Sequence, residues 1–155
     1  MELKQIGVVE QKGDFFAVRL EQKFIDGLKG LDGFSMLNIL WWADQTIDYY
    51  SDESILIKKP YTKGPEQIGV FATRSPIRPN AICVSPIGVK AIDYNEGIIE
   101  TYYIDAFPGT PVIDIKPYHP STEISKEVEV PTWCRHWPES IEDSGRFDWE
   151  SEFNF

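Results

Sequence analysis

VKAIDYNEGIIETYYI, residues Val89–Ile104, is two apolar runs folded about a turn. Val89 to Tyr94 and Ile98 to Ile104 are rich in β-branched and aromatic side chains. Asn95, Glu96 and Gly97 between them are turn formers, so the stretch reads as a β-hairpin. The same grammar repeats outward. After the hairpin, Pro108-Gly109 marks another turn and Val112 to Ile115 another strand. Before it, Ile68 to Thr73, Ser54 to Ile57, Phe34 to Trp42, Phe15 to Leu20 and Leu3 to Val9 are short strand candidates. No segment carries a helical stripe longer than two or three turns; residues 25–30 allow one short turn. Short strands at even spacing, punctuated by eleven glycines and eleven prolines, predict an all-β, antiparallel fold, a barrel or a sandwich.

With 42% hydrophobic and 14% aromatic residues among 155, the chain can bury a core and is not a disordered segment. The expected organisation is one β domain over residues 1–120. An acidic, tryptophan-rich extension follows over 121–155, with Trp133, Trp137, Trp149 and Phe153 as anchors on the barrel or on a partner subunit. No run approaches the roughly 20 apolar residues of a membrane span. The opening residues, MELKQIGVVEQKGD, contain no apolar signal core, and Cys83 and Cys134 lie far apart. A cytoplasmic protein with free thiols is expected.

The net charge of −10 argues against broad adhesion to nucleic acid. One stretch runs the other way: residues 58–80 carry Lys58, Lys59, Lys63, Arg74 and Arg78 against Glu66 alone. Within it lies GVFATRSPIRPN, Gly69–Asn80. Pro76 and Pro79 stiffen the backbone and restrict the residues before them, so the two arginines are held in a rigid, extended loop. Such a loop suits presentation of planar cations and an amide to a ligand; a solvated loop with a chance cluster of charge is the plain alternative.

A second motif is GTPVIDIKPY, Gly109–Tyr118. Asp114 and Lys116 alternate with Ile113 and Ile115 and share one strand face, where they make either a structural ion pair or a polar pocket wall ending at Tyr118. His119 and His136 are the only histidines, and with two distant cysteines no metal-ligand set is expected. Rossmann and P-loop glycine signatures are absent. Trp41 and Trp42 are neighbours on a predicted strand and must face opposite ways, so one of them leaves the interior; a subunit interface is the first expectation for it.

Together, the GFS-aromatic strand, RSPIRPN and GTPVIDIKPY, in this order over about residues 3–120, resemble the TrmO (TsaA-like, YaeB-like) family. The resemblance implies an all-β barrel that binds S-adenosyl-L-methionine, as a homodimer. It also implies methyl transfer to the exocyclic amine of threonylcarbamoyladenosine beside the anticodon of tRNA. By the same resemblance Arg74, Ser75, Arg78, Pro79, Asn80, Asp114, Lys116 and Tyr118 are cofactor contacts. Asp114 is also the catalytic candidate, and Lys58, Lys59 and Lys63 are candidate contacts to the tRNA substrate. The chain departs from the family pattern at Ala81-Ile82-Cys83, Pro108, Met36 and Asp44. Two alternatives therefore stand beside a tRNA methyltransferase: a methyltransferase of the same fold with a small-molecule or other acceptor, and a non-catalytic binding module.

Overall fold

The computed structural model describes residues 2–154, which fall into two compact units, residues 2–48 with 79–124 and residues 49–78 with 125–154. The larger unit is built on one seven-stranded sheet. Its strands are β1 (Gly7–Lys12), β2 (Phe15–Leu20), β3 (Met36–Trp42), β6 (Ile82–Gly88), β7 (Ala91–Asp93), β8 (Ile98–Thr101) and β9 (Pro111–Pro117). They run in the order β6-β3-β9-β1-β2-β8-β7, with every pairing antiparallel. Among the described residues no ladder joins β6 to β7, so the sheet is open where a closed barrel was expected. The edges give the reason. β7 is three residues long, and β6 carries Pro86, which lacks the N–H a further ladder would require.

The β7–β8 hairpin is the one read from the sequence. Asp93 Oδ1 accepts from the amides of Asn95 at 2.9 Å and Glu96 at 3.0 Å, which winds the turn. Gly97 closes it at φ 66°, where a Cβ would also meet Ile25 Cγ1 at 2.5 Å. β1 begins four residues later than expected and ends in the polar Glu10–Lys12. Its polar end is held by the turn at Gly13 (φ 63°) and by Arg19 Nε on Glu10 Oε1 at 2.7 Å. β6 was not anticipated, because Ser85 and Pro86 interrupt its apolar pattern.

The core lies on one face of this sheet. Val9, Val18, Leu20, Leu37, Ile39, Ile87, Ile99 and Val112 form it, joined by Leu28 from the 3-10 turns Gln22–Leu28 and by Ile104. Full burial of each such aliphatic side chain stabilises the fold by about 1.5–3 kcal/mol.

The smaller unit contains a two-stranded ribbon, β4 (Leu56–Lys58) against β5 (Gln67–Gly69). The 3-10 turn Val70–Ala72 and the arginine loop follow it. Ser54 and Ile55, expected as strand, belong to a 3-10 turn capped by reciprocal contacts of Ser51 and Ser54. Here the anchors Trp133, Trp137 and Phe153 surround Tyr61, with ring centroids 5.0, 5.2 and 5.7 Å away, and Trp149 packs on Trp137 at 5.4 Å. Backbone bonds from Thr62 to Glu152 at 2.9 Å and from Asn154 to Pro60 at 3.0 Å stitch the two segments together.

Candidate functional site

The arginine loop of the smaller unit is wound by its own hydroxyls. Thr73 turns back to donate to the Val70 carbonyl at 2.8 Å, and its Oγ1 accepts from the Ser75 amide at 3.2 Å. Ser75 Oγ in turn accepts from the Ile77 amide at 3.2 Å. These side-chain turns and the two prolines do what strand pairing does elsewhere: they fix the backbone without a partner strand. Arg78 Nη1 reaches the carbonyls of Thr73 and Ser75, each at 3.5 Å, the outer limit of a hydrogen bond. A guanidinium has five N–H donors, so this long fork leaves Arg78 capacity for an anion. Arg74 is exposed and Arg78 half-buried.

Of the predicted substrate-contact lysines, Lys59 pairs with Glu66 at 2.9 Å and Lys63 with Glu152 at 3.6 Å, while Lys58 is exposed on β4. Lys59 has φ 39°, the one non-glycine residue in the left-handed region among those described.

In the larger unit, β9 carries Asp114 and Lys116. The ladder with β3 pairs Trp41 with Val112 but Leu40 with Asp114, so Ile113 and Asp114 together oppose Leu40 in a β-bulge. The bulge resets the alternation: Val112 and Ile115, three apart, both pack on the core. Asp114 and Lys116 share the other face, where Asp114 Oδ2 meets Lys116 Nζ at 2.7 Å and Oδ1 accepts the Ile115 amide at 2.9 Å. The hydrogen bond and charge of Asp114 raise the Lys116 pKa above its ordinary value. Each Asp114 oxygen holds one of these contacts, and the carboxylate keeps further lone pairs for a ligand. The Tyr118 amide bonds to the Met36 carbonyl at 3.1 Å, extending the β3–β9 ladder.

The two adjacent tryptophans do face opposite ways. Trp41 packs on the core and donates its indole N–H to Ser85 Oγ at 2.9 Å. Trp42 lies on the outer face, half-buried, and lines an open groove of about 450 Å³ with Glu2, Leu3, Gln5, Asn80, Pro111 and Ile113. Of the motif residues Asn80 belongs to this groove, and Pro79 precedes it as an exposed residue. Nothing in the residue pattern announces the groove, because the bulge that brings Ile113 to it is a feature of register. Among the described residues no group of His, Cys, Asp and Glu is placed to hold a metal ion, and no helix is long and apolar enough to cross a membrane.

The chain is similar to a probable S-adenosyl-L-methionine-binding protein of Methanocaldococcus jannaschii, 35% identical over 127 residues, covering 80% of this chain and 97% of that one. It is similar to the tRNA (adenine(37)-N6)-methyltransferase of Escherichia coli, 38% identical over 100 residues, covering 63% of this chain and 42% of that enzyme. Among solved structures, TrmO from Pseudomonas aeruginosa superposes with a TM-score of 0.63 at 25% identity, covering 83% of this chain and 60% of its own. The chain thus spans less than two thirds of both the bacterial enzyme and the solved structure. Residues 5–124, which hold both motifs and the whole seven-stranded sheet, match the family described as the tRNA-methyltransferase O N-terminal domain, and the chain belongs to that family.

Proposed function

We propose that this chain is an S-adenosyl-L-methionine-dependent methyltransferase. Its acceptor is the exocyclic amine of an adenosine in tRNA, in the first instance threonylcarbamoyladenosine next to the anticodon. The observation that carries the proposal is the intact RSPIRPN loop, wound by Thr73 and Ser75 so that its arginines are presented on a fixed backbone. The names of the relatives in Methanocaldococcus jannaschii and Escherichia coli support the cofactor and the acceptor.

The donor set suits the cofactor. Its methionine part ends in a carboxylate, which a guanidinium binds in bidentate fashion, and Arg78 has donors to spare beyond its two long carbonyl contacts. Arg74 and Ser75 stand beside it in the same loop. By resemblance Pro79, Asn80, Asp114, Lys116 and Tyr118 are further cofactor contacts. Asn80 supplies an amide that can both donate and accept, and Asp114 a fixed carboxylate for a hydroxyl or an amine. The cofactor supplies an activated methyl group. The residues bind it, orient it and bring the acceptor nitrogen into line, so the rate gain comes chiefly from proximity. The proton leaving the amine passes to a nearby base, for which Asp114 is the candidate, or to solvent. Lys58, Lys59 and Lys63 are proposed to meet phosphates of the tRNA, few enough for an acidic protein to bind a short, local stretch. A homodimer in the cytoplasm is part of the same reading.

The test is calorimetric titration of the purified protein with S-adenosyl-L-methionine and its demethylated product, with Arg78→Ala as control. Analysis of modified nucleosides in tRNA from a deletion strain then follows. Micromolar binding lost in Arg78→Ala, together with loss of the methylated nucleoside, is expected. Binding with an unchanged nucleoside profile would transfer the proposal to another acceptor, and no binding by folded protein would overturn it.

A further inference from the structure

Glu152 lies outside the matched family region and outside every motif read from the sequence, yet it is only 5% exposed. Two hydrogen-bond partners and an ammonium, from two segments, converge on its carboxylate. His136 Nε2 is 2.8 Å from Oε1, Trp137 Nε1 donates to Oε2 at 3.2 Å, and Lys63 Nζ is 3.6 Å from Oε1. An ionised carboxylate only accepts, so His136 Nε2 carries the hydrogen of that bond. Around the carboxylate, Tyr61 stacks on Trp133, and Cys134 is buried with its thiol on the Pro131 carbonyl at 3.4 Å. The titratable groups acting on Glu152 are therefore His136 and Lys63, while Tyr61 and Cys134 face each other in the adjoining aromatic cluster.

The backbone of Glu152 is engaged as well. Its carbonyl accepts from the Thr62 amide, and Tyr61 pairs with Phe153 in an isolated β-bridge. Segment 59–63 is thus held from one side by the chain's last residues. From its other side it is continuous with the arginine loop through a chain of short-range bonds. The Lys59 amide donates to the Glu66 carbonyl at 2.9 Å, β4 pairs with β5, and β5 runs into Val70, which is fully buried. The Thr73 amide bonds back to Val70 at 3.1 Å, and Ser75 to Thr73.

We infer that Glu152 is a positioning residue: in its ionised form it clasps segment 59–63 to the C-terminal segment and so fixes the backbone from which Arg74 and Arg78 are presented. The C-terminal segment is then a working part of the site's scaffold, and its loosening a means of weakening the loop. The consequence for the cofactor rests on the proposed function; the consequence for the loop does not. The hydrogen bonds from His136 and then Trp137 hold the Glu152 pKa below the ordinary carboxylate range against the opposing effect of burial. The clasp is therefore complete above the ordinary glutamate range and is lost as pH falls through the lowered value.

Hydrogen exchange and NMR on the full chain and on Glu152→Gln test this. The variant keeps the shape and an acceptor but drops the charge. Amide exchange at Thr62, Thr73 and Ser75 is expected to quicken by about tenfold or more in the variant, while Val9 in the sheet is unchanged. In the wild type, the Trp137 indole N–H should titrate at acid pH, with Thr73 and Ser75 losing protection at the same midpoint. Where the variant fails to fold, this wild-type titration decides. Faster exchange at Thr62 with Thr73 and Ser75 unmoved would overturn the inference. Calorimetry supplies the second arm: affinity for S-adenosyl-L-methionine falls about tenfold or more in Glu152→Gln and follows the same acid midpoint, and equal affinity of both proteins overturns it. A wild type that binds no cofactor at any pH would sink the proposed function, and the exchange data would still decide the clasp.

Discussion

The carboxylate of Asp114 and the ammonium of Lys116 meet at 2.7 Å on the outer face of β9, directly after a bulge that re-aims both side chains. The pair has a structural consequence and a chemical one. Both partners are well exposed, so the contact adds little to the fold. It does fix where a negative charge stands. Asp114→Asn is expected to leave the melting temperature unchanged and to weaken cofactor binding by about tenfold, the scale of one charge-assisted hydrogen bond. Calorimetry reads the affinity and turnover at saturation reads kcat. Affinity and kcat both equal to wild type would reduce Asp114 to a surface ion pair, and a lost kcat with intact affinity would make it the proton acceptor.

Arg78 separates the rigid-loop reading from a chance cluster of charge. Its guanidinium is forked on two carbonyls of its own loop, so it is both positioned and available. Arg78→Ala should cost at least about tenfold in affinity for S-adenosyl-L-methionine, and Arg78→Lys should restore little of it, since a lysine offers a point charge and not a planar fork. Full recovery by lysine would mean that charge alone matters at this position.

The elements legible in the sequence share one property: their apolar alternation and their turn residues coincide. Phe15–Leu20 has the bounds expected of it, and the hairpin at Asn95–Gly97 folds about its expected turn. β6 escaped because an edge strand tolerates a proline and a serine that a central strand would not. The polar end of β1 escaped because its pairing rests on a glycine turn and an Arg19–Glu10 bond, neither of which is periodic. In the candidate site, the motif residues could be named from their types, but the groove beside Trp42 and the bulge at Ile113 are facts of register. Glu152 left no local trace: its partners stand 15, 16 and 89 residues away in sequence, and only the folded chain brings them together.

The turn itself makes a pH prediction. Backbone hydrogen bonds from Glu96 and Asn95 hold the Asp93 pKa below its ordinary value. A depressed folded-state value contributes stability that is present above the unfolded pKa, about 3.9, and is lost as pH falls through the folded one. Asp93→Asn keeps an acceptor oxygen for the turn but abolishes the titration. The variant should show a flatter acid limb in thermal melts followed between about pH 2 and pH 5, with little change at neutral pH. An acid limb identical to wild type would mean that other carboxylates govern it.

Gly7 sits where no side chain fits. A Cβ there would overlap the carbonyl oxygen of Arg19 on β2, a backbone atom that cannot swing aside, and would press on the Leu20 backbone as well. Gly7→Ala must therefore push β1 off β2 at the start of their ladder. The expected cost is about 1–3 kcal/mol, as for overpacking generally, measured by denaturant unfolding. A variant as stable as wild type would show that this end of the ladder is free to slide.

The two tryptophans should part company under mutation, because one packs against the core and the other lines the groove. Trp41 packs on the sheet's buried face and spends its indole N–H on Ser85. Trp41→Ala removes that packing and leaves the Ser85 hydroxyl without its donor, at an expected cost of about 3–5 kcal/mol. Trp42, on the outer face, borders an open groove and has less to lose, so Trp42→Ala should cost under half as much. Urea unfolding of both variants gives the comparison directly. If the groove takes a flat ring, Trp42→Ala will additionally weaken ligand binding while Trp41→Phe leaves it intact. Equal destabilisation by the two alanine variants would mean that Trp42 packs on the core as Trp41 does.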